Sequence, residues 1–206
     1  MNWIKHPVTL TGTRVRLEPL TDGHTADLVR AGRDARIWAQ LPIDGSDEQA
    51  LRAELTSARA QRLAGTQYPF ALIDIASGAA FGSTRLFDVF PQHRKLEIGW
   101  TWMQPEYWGG AWNAECKLLL LAYCFETLGA HRVQLKTRDT NLRSAAAIRK
   151  IGAQYEGCLR KDRVMPGGVV RDTLMFSIVD DEWPEVKQRL QEAGALQAAP
   201  TAGRES

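Results

Sequence analysis

Apolar and polar residues alternate along several short stretches of the chain, as they do in strands that bury one face. In the first stretch the apolar residues alternate with Arg14 and Arg16, and Gly12 predicts a bend. Turn-forming residues such as Ser77-Gly78 separate the later stretches. The predicted strands are Val8–Leu17, Tyr68–Ile75, Ala80–Asp88, Lys95–Met103, Arg132–Thr137, Gln154–Arg163 and Val170–Val179.

The strand predicted at Lys95–Met103 has a side-chain period of two, which assigns its residues to two faces. One face is predicted to carry Leu96, Ile98, Trp100 and Trp102. The opposite face is predicted to carry Glu97, Gly99, Thr101 and Met103.

Between the strands, apolar residues recur at the three- and four-residue spacing of helices. Ser46 and Gln49 predict a capping box at one helix start. The run from Leu118 to Phe125 has almost no polar residue, so we expect the helix that contains it to be largely enclosed. The predicted helices begin at Thr21 or Asp22 and run to about Gly32, then span Ser46–Ala64, Trp112–Leu128, Asn141–Ile151 and Glu182–Ala193.

The order of these elements predicts an α+β protein. Antiparallel hairpins come first, and a strand–helix–strand–helix–strand series follows, which favours one mixed sheet with helices on both faces. The sequence contains no internal repeat and no linker-like segment. We therefore predict a single domain over residues 1–194, with the Ala/Pro/Gly/Ser-rich residues 195–206 as a disordered tail.

The composition is that of a soluble globular protein, with 44% apolar and 24% charged residues among 206. A formal net charge of +2, with basic residues scattered along the chain, argues against a nucleic-acid partner. The longest apolar run, Leu118 to Phe125, is far shorter than the ~20 residues of a membrane span. The N-terminus also lacks the pattern of a secretory signal. We therefore expect neither a nucleic-acid nor a membrane partner.

Cysteine and histidine positions argue against a metal site. Cys116, Cys124 and Cys158 have no paired spacing of the kind that binds metals, and the four histidines show no ligand spacing. Cys116 and Cys124 would lie roughly 12 Å apart along one helix, too far for a disulfide. We expect reduced thiols in a cytoplasmic protein, and no metal.

The segment between Met103 and the long apolar helix is suited to bind a phosphate. Gly109 and Gly110 precede the helix, whose first N–H groups have no partner within it and lie at the positive end of its dipole. Two glycines before a helix also form ordinary tight turns, so this loop alone does not establish a phosphate site. It matches neither the P-loop nor the dinucleotide fingerprint.

Four sequence motifs, in order along the chain, are more specific than the loop alone. They are Glu97-Ile98-Gly99-Trp100, Pro105-Glu106-Tyr107-Trp108-Gly109-Gly110-Ala111, Asn141-Leu142-Arg143-Ser144 with Lys150-Ile151-Gly152, and Arg171-Asp172-Thr173. With these motifs the chain resembles the GCN5-related N-acetyltransferases, and among them the RimJ/RimL-type ribosomal-protein and small-molecule N-acetyltransferases. The resemblance extends from Leu10 to Pro184. It implies acetyl-CoA as co-substrate, and a mostly antiparallel, twisted sheet whose two central strands splay apart.

The resemblance also implies the residues that bind the cofactor. Gly109 and Ala111 occupy the small positions of the family's pyrophosphate loop, and Glu106 stands where Gln or Arg is usual. Main-chain groups would therefore bind the phosphates, and Trp102 and Met103 would pair with the pantetheine arm. The implied cofactor-binding residues are Trp102, Met103, Gly109, Gly110, Ala111, Trp112, Asn113, Ala114, Asn141 and Ser144.

Acyl transfer to an amine needs a base, a polarised carbonyl and help for the departing thiolate. Glu97, in mid-strand, is the candidate base, although it could also be a surface carboxylate. The resemblance implies that the N–H of Met103 or its neighbour polarises the carbonyl. Many family members place a Tyr seven residues after the Asn141 position, where this chain has Ile148, so Ser144 is the nearest hydroxyl for the thiolate. Asn141 and Ser144 could also act only as helix caps.

Four questions remain open at the level of sequence. The acceptor could be a protein α-amine or a small-molecule amine, in a groove expected between the first two helices and the last hairpin. The donor could carry succinyl instead of acetyl, which would require a cation at Arg85, Arg138 or Arg143. The absent Tyr also leaves a non-catalytic acyl-CoA-binding module as an alternative, and a homodimer stays open.

Overall fold

A computed structural model describes residues 3–196, which form eight strands and five α-helices. The strands are β1 (Leu10–Thr11), β2 (Val15–Pro19), β3 (Tyr68–Asp74), β4 (Ala80–Phe90), β5 (Lys95–Met103), β6 (Arg132–Arg138), β7 (Gln154–Val164) and β8 (Val170–Val179). The helices are α1 (Thr25–Ala31), α2 (Glu48–Leu63), α3 (Ala111–Ala122), α4 (Leu142–Lys150) and α5 (Trp183–Leu196).

All eight strands form one sheet in the order β1-β2-β3-β4-β5-β6-β8-β7. Every neighbouring pair is antiparallel except β5 and β6, which are parallel. The predicted α+β fold with a mostly antiparallel sheet is confirmed. Of the predicted tail, residues 195 and 196 belong to α5, and residues 197–206 lie outside the described part of the chain. Within residues 3–196, no helix has both the length and the apolar character needed to cross a bilayer.

Two predictions are wrong for local reasons: the single first strand, and the start of the second helix. The first strand is a hairpin of β1 and β2, because Gly12 N–H bonds to Val15 O (2.9 Å) and the chain reverses instead of bending. Helix α2 is capped by Asp47, whose carboxylate accepts a hydrogen bond from the N–H of Ala50 (2.7 Å). The hydroxyl of Ser46 instead donates to the carboxylate of Asp44, so the predicted capping box does not form.

Two hydrophobic cores cover the two faces of the sheet. Phe70 and Leu72 of β3 enter one core, and the alternating residues Ala71 and Ile73 enter the other. We call the first the α3 core, because it is closed by α3, α4 and α5, and the second the α1–α2 core. The helix residues that anchor the α3 core include Cys116, Leu120, Leu121, Ala145, Ile148, Val186 and Leu190, and those of the α1–α2 core include Leu28, Val29, Leu51, Leu55 and Ala58.

Strand β5 contains a β-bulge that changes its predicted facing. Two of its residues, Trp100 and Thr101, lie opposite the single residue Thr84 of β4, and Trp100 has a left-handed φ of 51°. An extra residue shifts the two-residue alternation by one. Beyond the bulge Met103 therefore enters the α3 core and Trp102 the α1–α2 core. The predicted facing is wrong from the bulge onward, because cross-strand register cannot be obtained from alternation along one strand.

The parallel strands β5 and β6 pair over only three residues each. Lys95–Glu97 lie opposite Arg132–Gln134, and beyond them β5 stays paired with β4 while β6 stays paired with β8. A wedge-shaped opening therefore separates the carboxyl-terminal halves of β5 and β6, as the predicted splay requires. The start of α3 follows the β5 side of this opening, and α4 follows the β6 side.

Candidate active site

The start of α3 lies next to the opening and has no capping side chain. Gly110 is the N-cap residue, with extended backbone (φ −96°, ψ −173°), and the first turn contains no acidic residue. Gly109 has a φ of 70°, which favours glycine, and a Cβ built on it would meet no atom within 4 Å. The helix thus presents its first N–H groups, those of Ala111, Trp112 and Asn113, beside open space.

An aromatic cluster fixes the loop that leads into α3. The ring of Tyr107 stacks on Phe81, with centroids 4.0 Å apart, and Trp112 contacts both rings edge-on at 4.8 and 5.4 Å. The hydroxyl of Tyr107 also donates to Asp74 (3.3 Å). The indole of Trp112 is therefore a packing group, and only its main chain is left for a ligand.

The end of β5 presents the main chain of Met103 to the opening. The N–H of Gln104 donates to the carbonyl of Phe81 (2.9 Å). Because antiparallel residues alternate between bonding to the neighbouring strand and pointing away, Met103 directs its N–H and C=O away from β4, and Trp102 directs its own toward β4. The Trp102 ring packs on Trp38, with centroids 4.9 Å apart. Of the two residues expected at the pantetheine arm, only Met103 offers main-chain groups to it.

Trp108 connects the two sides of the opening. Its indole Nε1 donates to the carbonyl of Met103 (2.9 Å), and the guanidinium of Arg143 lies 4.0 Å from the centroid of its ring. Trp108 follows β5, whereas Arg143 is in the first turn of α4. The cation–π contact therefore joins the ends of the two splayed strands.

At the start of α4, Asn141 is a helix cap. Its side-chain oxygen accepts a hydrogen bond from the N–H of Ser144 (3.1 Å). Among the described residues its amide nitrogen has no partner, so this group is available to a ligand while the oxygen caps the helix. Ile148 is buried in the α3 core, and the Ser144 hydroxyl is half-buried one turn earlier.

Glu97 lies at the last residue pair before the strands separate. It is only 3% exposed, so the reading as a surface carboxylate is wrong. The ammonium of Lys136 lies 2.6 Å from Glu97 Oε2 and 3.4 Å from Asp88 Oδ2. Burial raises the pKa of Glu97, and Lys136 opposes this rise without cancelling it. A buried carboxylate with a raised pKa, next to an opening, is suited to accept a proton.

A cavity of about 350 Å³ lies between residues 35–44, which connect α1 and α2, and the β7–β8 hairpin. It lies in the region where the sequence predicts the acceptor groove. Its lining is mostly apolar, with Arg138 and Asp44 as the charged members. The lining residues are Ala35, Trp38, Ala39, Leu41, Pro42, Ile43, Asp44, Arg138, Met165 and Val169.

A family model described as an acetyltransferase (GNAT) domain matches residues 14–154. The chain belongs to the GNAT acetyltransferase family. The predicted resemblance to the GCN5-related N-acetyltransferases is confirmed, and the chain is an acyltransferase.

Individual relatives agree with this assignment. The chain is 26% identical over 150 residues to the uncharacterized N-acetyltransferase YnaD of Bacillus subtilis, an alignment covering 73% of this chain and 84% of the relative. A GCN5-related N-acetyltransferase from Brucella melitensis superposes with a TM-score of 0.88 at 28% identity, covering 96% and 90% of the two chains. Mycobacterium smegmatis RimJ, solved in complex with CoA-disulfide, shares the fold with a TM-score of 0.76 at 23% identity, covering 92% and 96%. The likeness to RimJ supports the shared fold, and the RimJ/RimL-type branch stays a prediction from the motifs.

In this GNAT acetyltransferase, the three candidate arginines have different surroundings. Arg85 is buried, pairs with Glu54 and lies 4.6 Å from the ring centroid of Trp100. Arg143 stacks on Trp108, as described above. Only Arg138 lines the cavity, and its Nε is a buried atom without a hydrogen-bond partner.

Sequence reasoning missed Lys117, which α3 places next to the bulge. Its Nζ donates to the hydroxyl of Thr101 (2.9 Å), which lies 2.7 Å from the hydroxyl of Thr84. Burial lowers the pKa of Lys117 to about 8. The one available signal was a lysine following Cys116 on the enclosed side of an apolar helix. Within residues 3–196, no group of His, Cys, Asp or Glu side chains is arranged to hold a metal ion.

Proposed function

We propose that this acetyltransferase moves an acetyl group from acetyl-CoA to a primary amine, on a protein N-terminus or a small molecule, by direct attack in a ternary complex. The observation that carries this proposal is the orientation of the Met103 N–H into the opening between β5 and β6. When bound there, acetyl-CoA would supply an activated thioester. Such an N–H is placed to donate to a carbonyl oxygen as negative charge develops on it.

The residues around the opening fit a diphosphate-bearing thioester. The uncapped N–H groups from Ala111 to Asn113 offer hydrogen bonds and the positive end of the helix dipole to phosphates. Gly109 and Gly110 leave the approach to these groups open. On the other side of the opening, the amide nitrogen of Asn141 is free to donate to the pantetheine arm.

Glu97 is the base in this proposal. Most free amines are protonated at neutral pH, so a proton must leave the acceptor before it can attack. Glu97 accepts it, directly or through water, and Lys136 stabilises the carboxylate from 2.6 Å. The hydroxyl of Ser144 is the candidate donor to the departing thiolate. Holding the amine and thioester together accounts for much of the acceleration.

A thiol-release assay with acetyl-CoA tests the proposal across a panel of peptides, polyamines and aminoglycosides. We expect amine-dependent release of coenzyme A with at least one class of acceptor, above the rate of hydrolysis without amine. Calorimetry on the same preparation measures whether coenzyme A binds. Binding without amine-dependent release from any acceptor would contradict catalysis and leave an acyl-CoA-binding role.

A further inference from the structure

At the carboxyl end of β6 and the facing part of β8, three buried polar atoms have no hydrogen-bond partner among the described residues. They are Arg138 Nε, Arg171 Nε and Thr173 Oγ1. Arg138 lies directly opposite Thr173 in the β6–β8 ladder, so the two side chains share a face, and Arg171 follows on that face two residues away. Thr173 is only 1% exposed.

Such groups are costly when they stay unpaired. A buried donor or acceptor without a partner loses its hydrogen bonds to water without replacement, and folded proteins keep few of them. Within residues 3–196, no carboxylate forms an ion pair with Arg138 or Arg171. Asp162, the nearest acidic residue on β7, pairs with Arg163 instead (3.5 Å).

The cluster has an excess of positive charge. Burial lowers the pKa of Arg171, and the neighbouring Arg163 and Arg138 lower it further, while Asp162 and Asp139 act in the opposite direction. Unpaired, mutually repelling guanidinium groups indicate a site that is completed by an anion. Water could satisfy single donors, but it would leave this repulsion in place.

The cluster reaches the cavity through Arg138, while Arg171 and Thr173 lie behind it on the same face of the sheet. Arg138 forms part of the cavity wall, together with Met165 and Val169 of the hairpin. Lys136, two residues earlier on the same face of β6, contacts Glu97. Two residues along a strand span about 7 Å. An anion at Arg138 would therefore be only a few bonds away from an amine or thioester reacting beside Glu97.

We propose that Arg138, Arg171 and Thr173 bind a carboxylate of the group that enters this cavity. The proposal rests on the proposed acyl-transfer function and specifies its substrate class. A guanidinium holds a carboxylate through two parallel hydrogen bonds, and the Thr173 hydroxyl can donate a third. The carboxylate has two possible sources: an acidic acceptor, such as an amino acid or a peptide with an acidic first residue, or a dicarboxylic acyl group on coenzyme A.

Two arms of one kinetic experiment separate these sources. The first arm uses acetyl-CoA and measures kcat/KM for peptides that begin with aspartate or glutamate, against the same peptides beginning with asparagine or glutamine. It also compares small amines with and without a carboxylate. The second compares succinyl-CoA with acetyl-CoA on an uncharged acceptor. We expect a preference of roughly tenfold to hundredfold for the carboxylate in one arm. Equal rates within every pair would overturn the proposal.

Substitutions of Arg138, Arg171 and Thr173 test whether these residues cause the preference for a carboxylate. Arg138→Gln and Arg171→Gln should each reduce the preference ratio to near one, and Thr173→Val should reduce it severalfold while keeping the side chain's shape. Arg160→Gln is the matched control, because Arg160 is exposed on β7 and makes no contact with the cavity. If Arg138→Gln fails to fold by circular dichroism, the other two variants decide. A preference unchanged in the folded variants would also overturn the proposal.

If no donor and acceptor react at all, the proposed function fails, and the carboxylate site is tested by binding alone. Calorimetric titration then compares the glutamate and glutamine peptides and the two acyl-CoA compounds. Tighter binding of a carboxylate-bearing member, lost in Arg171→Gln, would support the site independently of activity. Equal affinities in every pair would exclude it.

Discussion

The start of α3 and the end of β5, together with the start of α4, form what we call the cofactor side of the proposed site. It presents main-chain amides and carbonyls, and Gly109 and Gly110 leave space for a ligand beside them. The cavity under residues 35–44 forms what we call the acceptor side. It presents side chains, which are an indole, aliphatic groups and the guanidinium of Arg138. A backbone surface can bind any molecule that carries the same diphosphate and amide groups. A side-chain surface changes with every substitution, so it can select one acceptor among many.

The two sides also differ in how completely their polar groups are satisfied. The Asn141 oxygen caps α4, the Met103 carbonyl accepts from Trp108, and the aromatic cluster fixes the loop before α3. On the acceptor side, three buried polar atoms of β6 and β8 have no partner among the described residues. On the cofactor side the groups left for a ligand are main-chain N–H groups and the Asn141 amide nitrogen, whereas on the acceptor side they are buried side-chain atoms.

The largest effect is expected where the two sides meet. Glu97→Gln should lower kcat about a hundredfold or more, because it removes a base while keeping the side chain's size. Burial raises the pKa of Glu97 above its ordinary 4.5, so wild-type activity should rise with pH as the carboxylate loses its proton, through a midpoint above that value. The variant should lack this limb. Steady-state kinetics from pH 5 to 9 measure both.

Asp88→Asn is the control for Glu97→Gln. It removes the other carboxylate that contacts Lys136, and Asn tolerates the left-handed φ of 46° at this position. We expect its kcat to stay within about threefold of the wild type. Unchanged turnover in Glu97→Gln would remove this residue from the mechanism.

Substitution of Lys117 tests how the buried charge beneath the end of β5 affects the stability of the fold. The charged form is penalised in the folded state, where the pKa is about 8 against 10.5 for an ordinary lysine. This destabilisation is present below pH 8 and disappears as pH rises toward 10.5, because the unfolded chain then holds a proton that the folded chain has lost. Lys117→Met should therefore raise the free energy of unfolding at pH 7 by roughly 1–3 kcal/mol, less whatever the lost bond to Thr101 contributes.

Urea unfolding at pH 7 and pH 10 measures this difference. The advantage of Lys117→Met should shrink at the higher pH. Lys187→Met is the control, since Lys187 pairs with Glu126 at the surface and should show no such dependence. A Lys117→Met protein that is less stable than the wild type at pH 7 would show that the bond to Thr101 outweighs the burial of the charge.

Gly109→Val isolates the main-chain surface. A β-branched residue is strained at a φ of 70°, and its side chain would project into the open space beside the start of α3. We expect the Kd for coenzyme A to rise about tenfold, as measured by calorimetry. Gly78→Val is the matched control, because Gly78 has a φ of 72° and equal space but lies in the β3–β4 turn. Equal affinities of the two variants would count against the α3 site.

The cofactor side was largely predictable from the sequence because its features are local. The bounds of β5, the start of α3 after Gly110 and the cap at Asn141 all follow from residues close together in the chain. The facing of Met103 was not predictable, since the bulge depends on pairing with Thr84 of another strand. Arg138 was a candidate cation from the sequence, and Arg171 and Thr173 lie in one of the motifs, but that the three come together was not predictable, for the same reason. They become neighbours only through the β6–β8 ladder.

The smallest expected effect concerns the contact that joins the ends of β5 and β6. The guanidinium of Arg143 stacks on Trp108 across the ends of the splayed strands. We expect a ligand that enters the opening between these strands to displace this contact. Arg143→Lys keeps the positive charge that attracts phosphates but loses the planar stacking group. We expect coenzyme A to associate about twofold to threefold faster, in line with a contact worth about 0.5–1 kcal/mol at an exposed site.

Stopped-flow fluorescence measures this rate, and Arg149→Lys is the control, because Arg149 lies over Tyr155 and Phe176 on the far side of α4. A slower association in Arg143→Lys alone would reverse the interpretation. The stacked pair would then be part of the phosphate-binding surface, and the cofactor side would depend on a side chain as well as on its backbone.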